Sequence, residues 1–216
     1  RSPRYLLLFG DANYDFKGKQ GGRNGVPSYQ SSFSLDPLSS YVSDDYFGFL
    51  DDHEDINSGL ITNLLDLSIG RIPVSDLQSA NHYIDKIIAY HDPAVMGEWR
   101  NELLLIADDE DNNLHLQDAE DIAGVALATN PGILQQKVYL DAFPQQSDAG
   151  GSRYPAVNQQ LAERMQKGVL IWNYSGHGGF RRLAEEVVLD RDIVDGWEQG
   201  GKLPLFITAT CDFAPF

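Results

Sequence analysis

An α/β fold is predicted, with parallel-dominated sheets flanked by helices (α/β/α). Three observations predict it: short apolar runs that end near Gly or Asp, longer segments with apolar residues at helical spacing, and alternation of the two along the chain. Apolar runs of this kind are typical of parallel strands buried on both faces. The intervening helices then cover the two faces of the sheet.

The first elements are two strands separated by a long connection. YLLLFGD (5–11) is expected to form a fully buried parallel strand, and DLSIGRIPV (66–74) a second strand. Residues 12–43 are rich in Gly, Ser, Asn and Pro and show no periodicity. We expect this connection to form a functional or surface loop, because structureless loops of this length are uncommon in compact domains.

An amphipathic helix is predicted over residues 75–91, with Ser75 as its N-cap and a stop at Asp92-Pro93. Its apolar positions are Leu77, Tyr83, Ile84, Ile87, Ile88 and Tyr90. After Trp99 the alternation restarts. The predicted strands are NELLLIAD, QQKVYLD, VLIWNYSG and LPLFITATC, and the predicted helices include LQDAEDIAGVALAT and YPAVNQQLAERMQKG. We expect two subdomains, an N-terminal one over residues 1–95 and a second over residues 96–216.

Composition excludes several classes of function. The chain carries 32 acidic and 16 basic residues, a net charge of −16, which disfavours binding to nucleic acid. No apolar stretch approaches the roughly 20 residues that span a bilayer, and the first residues do not resemble a signal peptide. A chain that begins without Met is expected to be part of a longer protein. Its single cysteine excludes an internal disulfide.

Two chemically capable side chains follow two predicted strands. His177 follows VLIWNYSG, and Cys211 ends LPLFITATC. Functional groups in open α/β sheets gather outside the carboxyl ends of the strands, so the two side chains meet if the strands are neighbours. The alternative is a loop histidine and a small core cysteine. Glycines beside His177 favour the functional interpretation, because they allow a ligand to approach the backbone closely. A cysteine nucleophile needs a nearby imidazole.

These residues resemble the gingipain family of caspase-like cysteine peptidases. The resemblance is carried by NYSGHGG and LPLFITATC, and upstream by VSDDYFGFLDD and LSIGRIPVSDLQSANHYIDKIIAYH. It implies a caspase-like catalytic subdomain in residues 96–216, with Cys211 as nucleophile and His177 as general acid and base. Gly178 and Cys211 are the implied oxyanion-hole donors. An acidic residue that orients His177 is implied after LLLIADDED, with Glu110 the best match and Asp109 a substitute.

The specificity pocket departs from the family pattern. The match implies pocket walls at Ser175 and Ala209, and it places His115 where an arginine-cleaving gingipain holds a carboxylate. An imidazole does not replace a carboxylate in binding a guanidinium group, so strict arginine specificity is not expected. Thr210 stands where Ala usually precedes the nucleophile.

Within the family, the chain is most similar to the sortases of type IX secretion. This resemblance implies cleavage of a C-terminal sorting domain from cargo and transfer of the cargo, through a thioester, to an amine acceptor. Protein substrates and other secretion components would be the partners, at the outer membrane or cell surface of a Bacteroidetes-type bacterium. A secreted gingipain-like protease of other specificity is the alternative, as is an inactive peptidase-like binding module.

No cofactor is expected for the chemistry, although structural calcium is compatible with the acidic segments SDDYFGFLDDHED and ADDEDNN. The second segment lacks the glycine that an EF-hand loop requires, so no metal ligands are assigned. A metal hydrolase is disfavoured, because the five histidines show no zinc-type pairing at short spacing.

Overall fold

The computed structural model describes residues 3–13, 15, 17–19, 21, 25–31, 40–57, 64–198, 200–211 and 213. The chain divides into two compact units, residues 1–84 and residues 85–215. The division lies inside a helix, and the subdomain boundary expected between residues 95 and 96 stays a prediction.

Thirteen strands occur in the described part of the chain: β1 Tyr5–Phe9, β2 Tyr29–Gln30, β3 Val42–Ser43, β4 Ser68–Ile72, β5 Glu102–Ala107, β6 Leu134–Tyr139, β7 Gln146–Asp148, β8 Gly151–Arg153, β9 Ile171–Ser175, β10 Gly178–Gly179, β11 Arg182–Leu183, β12 Leu189–Asp190 and β13 Leu205–Ala209. The α-helices are α1 Leu77–Tyr90, α2 Leu114–Thr129, α3 Pro155–Lys167 and α4 Arg191–Asp195. Short 3-10 helices cover Asp45–Gly48, Pro93–Val95, Glu98–Asn101, Asp111–Asn113 and Leu140–Ala142.

In the first unit, β1 and β4 pair in parallel from Tyr5 opposite Ser68 to Phe9 opposite Ile72. The expectation of a fully buried β1 is wrong. Its alternate side chains are exposed, with Tyr5 79% accessible, because this two-stranded sheet does not bury both of its faces. The long connection predicted over residues 12–43 contains β2 and β3, which pair antiparallel with each other, and part of it lies outside the described residues.

A buried arginine ties this unit together. Arg71 of β4 is 4% accessible and makes a two-pronged ion pair with Asp44, with N–O distances of 2.7 and 2.8 Å. Its remaining N–H groups donate to the carbonyls of Gly10 and Pro27 at 2.8 Å and of Val26 at 3.3 Å. One side chain therefore connects both strands of the sheet to the loop segments.

Helix α1 begins at Leu77, so its N-cap is Asp76 and the prediction of Ser75 is wrong. The Asp76 carboxylate accepts from the N–H of Ser79 at 2.8 Å, and the Ser79 hydroxyl accepts from the N–H of Asp76 at 3.2 Å. This reciprocal arrangement is a capping box in which Ser replaces the usual Glu or Gln. No α1 side chain is fully buried, so the apolar face expected to pack is largely accessible.

The second unit is built on a four-stranded sheet in the order β13-β9-β5-β6. All three pairings are parallel. Because βαβ connections place helices on the faces, the apolar runs of β5 and β9 are buried, as the sequence predicts.

The core lies on both faces of this sheet. On one face Leu104 and Trp172 pack with Leu161 of α3, all at most 1% accessible. On the other face Leu103 and Leu105 pack with residues of α2. The side-chain alternation along β5 therefore feeds two core layers, and the predicted α/β/α arrangement is confirmed for this unit. In the described residues, no helix is both long and apolar enough to cross a bilayer.

Candidate active site

The two predicted catalytic residues follow neighbouring strands. β9 and β13 pair in parallel, with Ser175 opposite Ala209 at their carboxyl ends. The N–H of Gly176 still donates to the carbonyl of Ala209, at 3.4 Å. His177 and Cys211 each lie two residues beyond this pair, so both leave the same edge of the sheet from adjacent strands.

The glycines beside His177 are required by close approach. A Cβ on Gly176 would lie 2.5 Å from both the Asp108 Cβ and the Tyr174 hydroxyl oxygen. A Cβ on Gly178 would lie 2.4 Å from the Thr210 Oγ1. The residue after His177 therefore touches the residue before Cys211, and a side chain at Gly178 would push these two segments apart, whereas one at Gly176 would clash with Asp108 and Tyr174.

A buried carboxylate holds the backbone of His177. Asp108 follows β5, is 2% accessible, and accepts from the His177 N–H at 2.9 Å and the Tyr174 hydroxyl at 3.1 Å. The Tyr174 hydroxyl also lies 2.7 Å from the His177 carbonyl oxygen. Burial above all, with the adjacent Asp108, raises the pKa of Tyr174, so its hydroxyl stays a donor. His177 is thereby held from both its N–H and its carbonyl.

The His177 ring meets the acidic loop at Asp111. Its Nε2 lies 2.9 Å from the Asp111 Oδ2, within hydrogen-bond distance, and 3.5 Å from the Glu110 Oε2. Asp109, the substitute named from the sequence, accepts from the Tyr154 hydroxyl at 2.7 Å instead. Two carboxylates of this loop, those of Glu110 and Asp111, therefore face the same His177 nitrogen, Nε2.

An unusual backbone places Asp111. Asp111, Asn112 and Asn113 have positive φ values of 58°, 53° and 67° in succession. Asp and Asn tolerate the left-handed region better than other residues with a Cβ, although each such residue carries a cost. Strained backbone of this kind clusters at functional sites, because the surrounding structure must hold it in place.

His115, from the first turn of α2, stands beside His177. The two rings are T-shaped with centroids 5.1 Å apart. The His115 side chain is 13% accessible, and its Nε2 lies 3.4 Å from the Asp111 Oδ2 without making a hydrogen bond. The residue implied for the specificity pocket is therefore next to the predicted general base.

Three carboxylates cluster behind the loop. Oxygens of Asp108, Asp109 and Glu186 lie within 4.8 Å of one another, close enough for one cation. Glu186 accepts from Gln145 at 2.8 Å, but its other oxygen and the Asp109 Oδ1 are buried without a hydrogen-bond partner. Burial first, and then the charges of Asp109 and Asp108, raise the pKa of Glu186. The cluster therefore favours a bound proton or a hard cation.

Other predicted residues have mixed surroundings. Cys211 is exposed and free. Ser175 is buried with an unpartnered Oγ, whereas Ala209 is exposed, so the two implied pocket walls differ in accessibility. Gly178 lies in β10, which pairs with β11. The oxyanion roles of Gly178 and Cys211 stay predictions.

A groove of about 860 Å³ opens next to the turn between β10 and β11. Four arginines line it, Arg153, Arg181, Arg182 and Arg191, together with Asp190, Asp192 and apolar side chains. In a chain of net charge −16 this concentration of guanidinium groups is a local exception, and it suits the carboxylates of a peptide segment.

Comparison with known proteins decides the family. A sequence model of peptidase family C25 matches residues 1–216. The chain belongs to peptidase family C25. No curated protein shows a significant match. The gingipain family predicted from the sequence is confirmed, and the expectation of a cysteine-type peptidase is supported at the level of the family.

Two solved structures share the fold of this C25 chain. The crystal structure of the Arg specific cysteine proteinase gingipain R (RGPB) matches with a TM-score of 0.67 and 19% identity, over 96% of this chain and 40% of that one. The complex of Porphyromonas gingivalis RgpB pro- and mature domains matches with a TM-score of 0.68 and 19% identity, over 97% and 42%. The caspase-like α/β fold is confirmed. The chain spans about two fifths of the length of these neighbours.

Sequence reasoning missed three contributors to this candidate site. Asp108 and Tyr174 hold the His177 backbone, and Asp111 reaches its ring. A signal for Asp108 existed, since it directly follows the most apolar strand and a buried carboxylate there needs partners. No signal distinguished Asp111 from its acidic neighbours.

Proposed function

We propose that this chain contains the active site of a cysteine endopeptidase, with Cys211 as nucleophile and His177 as general acid and base. One observation carries the proposal: His177 and Cys211 leave adjacent parallel strands in the same register, and their neighbours Gly178 and Thr210 are in close contact. The exposure of Cys211 further supports access by a peptide. Family membership points to the same chemistry.

The first half of the reaction forms a thioester. His177, with its Nε2–H directed at Asp111, takes the thiol proton of Cys211 at Nδ1. The Sγ then attacks the scissile carbonyl carbon, and the C=O electron pair moves onto oxygen. The C–N bond breaks as His177 returns its proton to the leaving amine. Asp111, with Glu110 behind it, stabilises the imidazolium that exists between these two transfers.

The backbone N–H groups of Gly178 and Cys211 are the proposed donors to the tetrahedral oxyanion. Such donors contribute most when they are held in place before the reaction begins. Asp108 and Tyr174 hold the His177 backbone directly before Gly178, which supports a preorganised position for the Gly178 N–H.

For the second half of the reaction we propose an amine acceptor, as in PorU, the sortase of type IX secretion. The amine attacks the thioester carbon, His177 accepts its proton, and the Cys211 thiolate leaves. The cargo would lose its C-terminal sorting domain and gain an amide-linked group at the outer membrane or cell surface. Other secretion components would be partners there. With water as acceptor, the same site would be a plain protease.

Specificity outside arginine substrates is part of the proposal. The implied pocket residues Ser175, Ala209 and His115 bring no carboxylate of their own, and His115 faces His177 and Asp111. A buried guanidinium needs a paired carboxylate. Structural calcium stays a further prediction, supported by the carboxylates of Asp108, Asp109 and Glu186.

The test compares wild-type full-length protein with Cys211→Ala, and with Cys211→Ser as the matched conservative variant. Loss of the nucleophile is expected to lower cargo processing about 10⁴-fold or more. Mass spectrometry of the cargo then reports cleavage and any amine-linked adduct. Cleavage with an adduct in wild type alone supports the sortase, and cleavage without one supports a plain peptidase. Unchanged processing in Cys211→Ala would refute the enzymatic proposal and leave a binding module.

A further inference from the structure

Two side chains beside the His177 ring, those of Asp111 and His115, form with it a donor set for a transition metal. One ligand atom from each of Asp111, His115 and His177 lies within 4.8 Å of those of the other two. The carboxylate oxygen is 2.9 Å from the His177 nitrogen and 3.4 Å from the His115 nitrogen. Donor atoms of a tetrahedral zinc site, with bonds of about 2.0–2.1 Å, are separated by about 3.3 Å. The observed separations therefore need only small adjustments.

Burial of His115 gives this donor set a second, independent observation. Its Nε2 is buried and has no hydrogen-bond partner in the described structure. A buried polar atom without a partner costs free energy, and a metal ion supplies the missing interaction. The His115 Nε2 faces the carboxylate of Asp111, which lies four residues earlier in the chain. One short stretch of backbone therefore presents two of the three ligands.

We propose that Asp111, His115 and His177 bind a zinc ion, and that this ion holds the enzyme in an inactive state. Two imidazoles with one carboxylate suit Zn²⁺, whereas Ca²⁺ and Mg²⁺ prefer oxygen ligands throughout. The fourth position is left to water. The inhibitory part of this inference rests on the proposed peptidase function, but the binding part does not.

The inhibition follows from the two nitrogens of one imidazole. A neutral imidazole bound to zinc through Nε2 carries its proton on Nδ1. His177 in that state has no lone pair at Nδ1 to take the thiol proton from Cys211. Zinc also displaces the Asp111 carboxylate from its hydrogen bond with His177, and so removes the group that stabilises the imidazolium. Removal of the ion by a chelator restores both.

Zinc binding is tested directly, without an activity assay, in full-length Cys211→Ala protein. This variant is used because it removes the one cysteine of this sequence, whose thiolate could otherwise bind zinc. After EDTA treatment and dialysis, zinc affinity is measured by competition with a chromogenic chelator, and Co²⁺ absorption reports tetrahedral geometry. Adding His115→Ala is expected to weaken zinc binding by about tenfold or more. Adding His82→Ala, an exposed histidine of α1, is the matched control and should leave the affinity unchanged within twofold.

Asp111→Asn provides a second variant, because this side chain is half exposed and its replacement by a side chain of the same shape leaves the core untouched. It too should weaken zinc binding. Equal zinc affinity in the His115→Ala and His82→Ala proteins, with both folded by circular dichroism, would overturn the site. If the site holds but stoichiometric zinc leaves wild-type peptidase activity unchanged, or is required for it, the inhibitory role is wrong. Absence of any peptidase activity would instead refute the proposed function and leave the zinc site standing.

Discussion

In the unit formed by residues 1–84 the most buried contacts between elements are hydrogen bonds of a guanidinium group. In the unit formed by residues 85–215 they are packing contacts between apolar side chains. Arg71 satisfies its donors with Asp44 and three backbone carbonyls. Leu104, in β5, is fully buried among side chains of the sheet and α3. The first unit has exposed apolar side chains on β1, and the second has a two-sided core.

This difference shows how each unit satisfies the hydrogen-bonding groups of its backbone. Few regular elements occur among the described residues of the first unit, so carbonyls of loop segments need donors, and a planar side chain with five N–H groups supplies them. In the second unit strands and helices satisfy the backbone, and packing supplies the stability. The candidate active site lies on the second kind of scaffold, where rigid strands position His177 and Cys211.

The largest expected effect comes from removing the Arg71 side chain and its hydrogen bonds. Arg71→Ala leaves the Asp44 carboxylate, 12% accessible, without its partner, and we expect a loss of about 3–5 kcal/mol in the stability of the first unit. Hydrogen exchange followed by mass spectrometry should show faster exchange at residues 40–48. Arg71→Lys keeps the charge without the planar fork, so its exchange rates should lie between those of wild type and of Arg71→Ala. Unchanged exchange in Arg71→Ala would mean that the first unit does not depend on this network.

A cavity in the second unit should lower the stability somewhat less, and its effect should appear in that unit. Leu104→Ala removes a fully buried side chain, and we expect a loss of about 2–5 kcal/mol, seen as faster exchange in β5 and β9. Leu134→Ala, on a half-exposed leucine of β6, is the control and should cost less than about 0.5 kcal/mol. Equal losses for the two variants would contradict the core described for this sheet.

The smallest expected effect sharpens the comparison, because it uses an ion pair in the second unit that is exposed. Lys137 donates to Glu120 at 2.7 Å, as does Tyr139, and these bonds, that of Lys137 first, lower the Glu120 pKa. The carboxylate therefore stabilises the fold above its unfolded pKa, and this contribution is lost as the pH falls through the lowered pKa of the folded state.

Glu120→Gln should then be less stable than wild type at pH 7 by about 0.2–1 kcal/mol, a range set by its exposure. The difference should shrink towards zero as the pH falls through the lowered pKa of Glu120. Urea denaturation at several pH values measures it, and Asp118→Asn, at an exposed position of the same helix, removes one negative charge as the control. A difference that does not vary with pH would show that the ion pair is not its source.

Much of the second unit was predictable because its elements are local. The apolar runs of β5, β9 and β13 and the helices between them follow from periodicity, and parallel neighbours bring strand ends together. His177 and Cys211 could therefore be placed at one edge. Burial of β1 and α1 was not predictable in this way, since periodicity shows which face is apolar and not what covers it.

The choice of acidic partner lay beyond sequence reasoning. Four adjacent carboxylates, Asp108 to Asp111, follow β5, and the left-handed backbone beginning at Asp111 decides which of them reaches His177. The pairing of His115 with His177 was missed for a related reason. Histidine spacing along the chain finds metal sites within one helix or loop, whereas these two rings come from separate elements of the fold.

The edge of the sheet has a practical consequence for anyone handling this polypeptide. Among the described strands, β13 pairs on one side only, and its first three residues, Leu205, Phe206 and Ile207, are all at least 36% accessible. An accessible apolar strand with free backbone groups is a template for the addition of another strand. Copies of this polypeptide on their own should therefore self-associate as the concentration rises, and a covering strand at β13 should keep them apart.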